Sequence, residues 1–252
     1  MTISVGYITT NEDIPFLLYS LESIEPYVDE IIIIQNSIGN NTIKLLNYIG
    51  NKPQYKHVLT KYSGTNGSEY NKILPHVTSE WLLILDADEV PSDNIYSLKE
   101  YTKGEKTCYS IRMNHLVYDL AHLDNSLAGD YTKSNKQPHY VLNRFFKVKP
   151  GIKWEGKEHS TITGFKQKDN GLIDDIIIWH YSKCKDFITH MKSKYEMNLS
   201  KSTIHNKDYL DGWYYYYILG QYPKGMVNVN EHPSVIRREY YINNLKGGNV
   251  SE

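Results

Sequence analysis

The sequence predicts an α/β fold: a mostly parallel sheet flanked by helices, with a helical C-terminal extension. Three observations lead there. Ile31 to Ile34 and Leu82 to Leu85 are short unbroken apolar runs, the pattern of strands buried on both faces rather than half open to water. These runs alternate with stretches whose apolar residues recur at helical spacing, and such alternation implies right-handed crossovers between parallel strands. From Asp186 onward Phe187, Met191, Tyr195 and Leu199 follow the helical period alone.

Ile3 to Ile8 reads as a first strand, and Ile14, Leu17, Leu18, Leu21 and Ile24 follow at helical spacing, with Asn11 or Asp13 placed to cap and Pro15 in the first turn, where its missing N–H costs nothing. Glu30 to Ile34 is a second strand, and Thr42 to Ile49 a short helix closed by Gly50. Tyr55 to Leu59 is a third, weaker strand, and the loop Ser63 to Gly67 leads into a helix from about Ser68 that breaks near Pro75. After the central strand at Trp81 comes a helix over Ser92 to Tyr101. Thr107 to Tyr118 and His139 to Val148 are long, partly alternating strands. The polar stretch between them, Asp119 to Gln137, is long enough to form a mobile, substrate-covering loop. Ile173 to Tyr181 is the last strong strand, and helical pieces are expected around Tyr209 to Leu219 and Pro233 to Leu245.

Composition excludes several classes. Lys plus Arg number 28 against 29 Asp plus Glu, so no global charge draws the chain to nucleic acid or to an anionic membrane. No basic segment followed by an apolar run opens the sequence, and no run of about 18 apolar residues occurs, so neither a signal peptide nor an integral membrane segment is expected and a cytoplasmic location follows. Cys108 and Cys184 are too few and too far apart for a disulfide framework or a four-Cys zinc site, and both read as buried free thiols. The first strand is not followed by G-x-G-x-x-G, which argues against a nicotinamide dehydrogenase. No H-E-x-x-H occurs, and His115, His122 and His139 lack zinc-ligand spacing with a Cys partner.

The stretch with most chemical content is Trp81 to Val90, WLLILDADEV. An apolar strand ends on acid, and residues two apart on an extended segment point the same way, so Asp86 and Asp88 can face one point beyond the strand's carboxyl end. Parallel sheets bind ligands at that edge. Two hard oxygen ligands suit Mg or Mn, which keep further positions for water and for the oxygens of a diphosphate. The competing reading is a strand-to-helix turn in which Ser92 or Asp93 caps a helix. A helix-loop-helix calcium site is excluded, because Val90 and Pro91 stand where an oxygen ligand and a glycine are needed.

An apolar strand running into DADE resembles the signature of nucleotide-sugar glycosyltransferases of the GT-A (Rossmann-like) fold, glycosyltransferase family 2 above all. ITTNEDIPFLLYSLESIEPYVDEIIII is similar to that family's opening strand, Asn-Glu pair, first helix and second strand, and GSEYNKILPHVTSEWLLILDADE to the helix that precedes its acidic triplet. NRFFKVKPGIKWEGKEHS and IIIWHYS resemble its acceptor-side Arg-Phe and Trp-x-Gly-x-x-His segments and its late metal-binding His. The resemblance implies a nucleotide-sugar-binding half over residues 1–103, an acceptor-binding half of the same domain over 104–184, and a helical extension over 185–252.

It also implies a site. A divalent cation, Mn or Mg, would be held by Asp86, Asp88 and His180, with Asp86 contacting the ribose or the metal and Asp88 the more direct ligand. Thr9, Asn11 and Glu12 at the end of the first strand, Asn36 at the end of the second, and Asn71 would hold the donor nucleotide. The family commonly has Asp near Asn36, and an Arg often precedes the position of Asn71 where Tyr70 stands here, so the diphosphate would turn to Lys61 or Arg144. The relatives often carry an acid after the His of the Trp-x-Gly segment; this chain has Ser160 there, and Glu158 or Glu155 is the candidate catalytic base. The implied reaction is metal-dependent, inverting transfer of a sugar from a nucleoside-diphosphate sugar, UDP-sugar first, to an acceptor hydroxyl. That hydroxyl would belong to a glycan, a lipid-linked glycan or a protein, or to a modified DNA base. A sugar nucleotidyltransferase is the competing enzyme, although ITTNED lacks its Gly-rich phosphate loop, and a non-catalytic sugar- or nucleotide-binding protein is the alternative outside enzymes.

Overall fold

The computed structural model describes residues 1–117, 122–124, 142–156, 160–183 and 226–228. The chain forms two compact units, one of residues 1–113, 140–179 and 232–252 and the other of 114–139 and 180–231.

In the first unit, strands β1 (Ile3–Thr9), β2 (Glu30–Gln35), β3 (Tyr55–Leu59) and β4 (Trp81–Asp86) are linked through α1 (Ile14–Ile24), α2 (Asn40–Ile49) and α3 (Asn66–Asn71). β1 pairs in parallel with both β2 and β4, and β2 in parallel with β3. The register aligns the four strand ends, with Thr9 beside Gln35, Gln35 beside Leu59 and Ile8 beside Asp86. After Asp86 the chain turns at Ala87 and Asp88 into β5 (Glu89–Pro91), runs through a 3-10 turn at Asp93–Ser97 into α4 (Leu98–Tyr101), and then changes character. β6 (Cys108–Val117) and β8 (Leu142–Lys147) continue the sheet antiparallel to each other, with β8 antiparallel to β4. β9 (Lys153–Glu155) and β10 (Thr161–Thr163) make a separate two-stranded sheet, and β11 (Asn170–Lys183) pairs with β5 and β6. In the second unit, β7 (His122–Asp124) pairs antiparallel with the end of β6 and with β12 (Met226–Asn228).

The unbroken apolar runs are explained by a sheet covered on both faces. Side chains alternate along a strand, and Val5, Tyr7, Ile31, Ile33, Leu83 and Leu85 join one buried cluster with Leu17, Leu21 and Ile24 of α1. Ile32, Ile34, Leu82 and Ile84 join the other with Ile73, Phe146 and Trp154. Cys108 is buried among the latter, and burial pushes its thiol up to about 12.

Several expectations change. The first helix starts at its Pro-containing turn, but Asp13, its cap residue, makes no side-chain cap bond; Asn11 caps α2 instead. The helix expected over Ser92 to Tyr101 is a 3-10 turn followed by four helical residues, and Ser92 Oγ accepts the Ile177 N–H at 3.0 Å. The premise of an extended path through Asp88 gives way to the turn at residues 87–88, required to bring Glu89 into β5. The loop expected over Asp119 to Gln137 lies outside the described residues except for β7, which is a strand. The helical extension also lies outside them; of 185–252 only 226–228 are described, as β12. Among the described residues no helix is long and apolar enough to cross a membrane.

Candidate active site

Because the first four strands are parallel and end in register, polar residues collect at one edge of the sheet. The ladder runs to that edge, with Asn36 N–H donating to Thr9 O and Thr60 N–H to Gln35 O, both at 2.9 Å. Just beyond it, backbone groups need partners, and side chains supply them. Asn11 accepts the Asn41 N–H on its Oδ1 at 3.0 Å, capping α2 from a distant loop, while its carbonyl accepts Asn41 Nδ2 at 3.1 Å. A Cβ on Gly39 would stand 2.5 Å from Asn11 Cγ, so this approach depends on glycine there. Thr9 is buried and donates to Thr10 O at 3.0 Å; Glu12 is exposed.

Asn36, half-buried, sits in a ring of polar groups whose direction is fixed at its ends. Lys72 Nζ can only donate, and it meets Thr60 Oγ1 at 3.3 Å, Lys61 O at 2.6 Å and both oxygens of Glu69 at 2.7 and 2.8 Å. Thr60 Oγ1 therefore donates to Asn36 Oδ1 at 2.8 Å, and the Asn36 amide lies near Glu69. Glu69, 1% exposed, also accepts Ser63 N–H at 2.6 Å and Ser63 Oγ at 2.5 Å. Burial opposes its charge, but the bonds from Lys72 and Ser63 outweigh burial and hold its carboxyl below the usual range. The ring ties the loop 60–65 to α3. Lys61 enters through its carbonyl, and the residue as a whole is exposed.

The acidic strand end is held by a second network. Glu89, fully buried in β5, accepts the Asp86 N–H on Oε2 at 2.8 Å and Arg144 Nη2 on Oε1 at 2.7 Å. Arg144, from β8, is 5% exposed. Burial disfavours its charge, Glu89 and Asp86 more than offset this, and the guanidinium stays protonated. Asp86 keeps a side chain about one third exposed; its Oδ2 lies 3.6 Å from Arg144 Nη2, beyond hydrogen-bond reach, and its Oδ1 accepts the Tyr70 hydroxyl at 2.6 Å. Asp88 is 8% exposed.

Tyr70 and Asn71 of α3 join this edge to the β9 segment. The Tyr70 ring lies against Trp154, centroids 5.6 Å apart. Asn71 clamps the Trp154 backbone, Oδ1 accepting its N–H at 2.8 Å and Nδ2 donating to its carbonyl at 2.9 Å. Gly67 makes the approach possible, since a Cβ there would meet Gly156 O at 2.8 Å. Glu155, next along, is exposed and pairs with Lys153 at 2.5 Å.

The structure thus gathers Asp86, Arg144 and, through α3, Asn71 around the end of β4, and sets Thr9, Asn11, Asn36 and Lys61 along the ends of the neighbouring strands. Glu158 lies outside the described residues. His180, half-buried on β11, belongs to the second unit, whereas Asp86 and Asp88 belong to the first. Among the described residues no three of His, Cys, Asp and Glu are grouped to hold a metal ion. Sequence reasoning passed over Glu69, Lys72 and Glu89 as site residues and gave Tyr70 no role of its own. A visible signal existed for Tyr70, which stands where the resembling family often has Arg; none existed for Glu69 and Lys72, whose spacing is that of any solvated helix pair.

No curated protein matches the chain. Among solved structures it is similar to S. aureus TarS 1-349 in complex with UDP-GlcNAc (18% identity, 48% of this chain and 39% of that one, TM-score 0.39). It is also similar to S. aureus TarS 1-349 in complex with UDP (17%, 58% and 47%, TM-score 0.43) and to GalNAc-T7 with UDP, GalNAc and Mn2+ (19%, 46% and 23%, TM-score 0.40). The chain spans less than half the length of each of these. The model of the glycosyl transferase family 2 matches residues 4–149, which take in β1 through β8 and the acidic end of β4. Since that match covers more than half of the 252 residues, this chain belongs to glycosyl transferase family 2.

Proposed function

We propose that the chain transfers a sugar from a nucleoside-diphosphate sugar to an acceptor hydroxyl, with inversion and with a divalent cation bound at the end of β4. The observation that carries this reading is the acidic end of β4, which lies inside the segment matched by the glycosyl transferase family 2 model. Asp86 keeps a side chain about one third exposed there, while the Glu89–Arg144 pair behind it is closed at 2.7 Å out of water. The donor set fits a divalent cation: Asp86 and Asp88 are hard carboxylates, and among the described residues Asp86 Oδ2 makes no hydrogen bond. When bound, the cation supplies charge neutralisation for the leaving diphosphate.

The chain's own residues would do the rest. The polar ends of β1, β2 and β3, with Asn11, Asn36 and Lys61, line the parallel-sheet edge where a nucleotide is held. Arg144 holds Glu89, and through it the Asp86 backbone, in place. The acceptor hydroxyl attacks the anomeric carbon as the bond to the diphosphate oxygen breaks, and its proton passes to a carboxylate for which Glu155 and Glu158 are the candidates.

The test is hydrolysis and binding with a panel of nucleotide sugars, UDP-sugars first, with and without Mn. Turnover that needs Mn, and Mn-dependent UDP affinity that falls about tenfold or more in Asp88→Asn, are the expected results. Equal affinity with and without Mn in the wild type would remove the metal from the proposal.

A further inference from the structure

We infer that Tyr70 is a positioning residue that keeps Asp86 available to the cation by holding it off Arg144. The inference rests on the function proposed above and deepens it. Asp86 stands between two attractors. On one side is Arg144, a buried guanidinium whose Nη2 is 3.6 Å from Oδ2. On the other is the Tyr70 hydroxyl, which donates to Oδ1 at 2.6 Å. A buried cation beside a carboxylate draws it strongly, because the local dielectric is low. A rotation closing less than an ångström would turn this ion pair at 3.6 Å into a hydrogen-bonded one and engage Oδ2 with Arg144. The short bond to Tyr70 opposes that rotation.

The Tyr70 oxygen is itself fixed. The ring lies against Trp154, the neighbouring Asn71 clamps the Trp154 backbone from both sides, and the glycine at position 67 lets α3 sit against the same segment. Glu89 completes the arrangement by holding the Asp86 N–H at 2.8 Å, which leaves the carboxylate's rotation as the freedom that Tyr70 controls. A basic residue at position 70 would hold Asp86 by charge and compete with the metal for it; a hydroxyl holds it by direction alone.

The test is Tyr70→Phe, which keeps the ring against Trp154 and removes only the hydroxyl. Mn alone is titrated by the electron paramagnetic resonance of the free ion, and UDP is titrated by calorimetry with and without Mn, alongside circular dichroism. The expected result is a loss of roughly tenfold in affinity for Mn and for UDP in the presence of Mn, with affinity for UDP in the absence of Mn and the spectrum unchanged. Equal Mn affinity in wild type and Tyr70→Phe overturns the positioning role alone. Equal losses with and without Mn also overturn it, because they indicate a general structural effect. A wild type that binds neither Mn nor UDP overturns the proposed function and this role together.

Discussion

Replacing Glu89 by Gln should destabilise the fold more than any surface change of similar size, because no orientation of the new amide satisfies both of its neighbours. Glu89 accepts Arg144 Nη2 at 2.7 Å on one oxygen and the Asp86 N–H at 2.8 Å on the other. Gln offers one oxygen and one NH2 group. Turned either way, the NH2 faces a donor, and one buried donor is left unsatisfied at a cost of about 1–3 kcal/mol. The guanidinium also loses its nearest counter-charge while remaining 5% exposed, with Asp86 at 3.6 Å as partial compensation. Removing one partner of a buried pair costs about 3–5 kcal/mol, and the residual attraction of Asp86 places this case near the lower end, about 3 kcal/mol. For a chain of this length that lowers the thermal midpoint by about 6–12 °C. Urea and thermal unfolding followed by circular dichroism measure it. The double variant Glu89→Gln/Arg144→Met should cost less than the sum of the two single changes by about 1 kcal/mol or more, since each single change leaves the other partner stranded. A Glu89→Gln protein within about 0.5 kcal/mol of wild type would refute the reasoning and return the pair to a negligible role.

Two further outcomes are expected. Gly67→Ala pushes a methyl group to 2.8 Å from Gly156 O, a backbone atom with little room to yield, and should cost about 1–3 kcal/mol in unfolding while loosening the 153–156 segment in hydrogen exchange; unchanged exchange there would show that α3 can move aside freely. Glu69 has a folded pKa lowered from 4.5, so its stabilising effect is complete above the unfolded value and is lost as pH falls through the folded one; Glu69→Gln should therefore flatten the acid limb of stability below about pH 5, and an acid limb identical to wild type would contradict the Lys72 and Ser63 bonding.

The parallel half of the fold was legible because burial on both faces leaves a direct trace in composition. The runs at Ile31 to Ile34 and Leu82 to Leu85 have no polar alternate, and β2 and β4 are indeed covered on each side. Strand ends at Thr9, Asn36 and Asp86 could be located for the same reason: the apolar run stops where the core stops. The second half was harder. β9 and β10 are three residues each, too short to show a period, and they exist by pairing with one another. The 3-10 turn over Asp93–Ser97 has apolar spacing compatible with a helix, and what decides against it is packing beside β11 rather than propensity.

That acid residues end a buried strand follows from the apolar run before them, and the order of the motifs pointed to the family. Local pattern could not say which side chains meet those acids. Arg144 is 55 residues from Glu89, Trp154 is 83 from Asn71 and Asn41 is 30 from Asn11. Such pairs leave no local periodicity, because they are imposed by the sheet that brings β8 beside β4 and by the helix laid across β9. It is the packing of distant segments that makes Asn11 cap a helix other than the one it precedes in sequence, buries Glu89 against a guanidinium and brings Tyr70 to Asp86. One cause underlies all three. A polar group removed from water takes whichever partner the packed backbone brings within about 3 Å, and that partner is chosen by topology, not by neighbours in the chain.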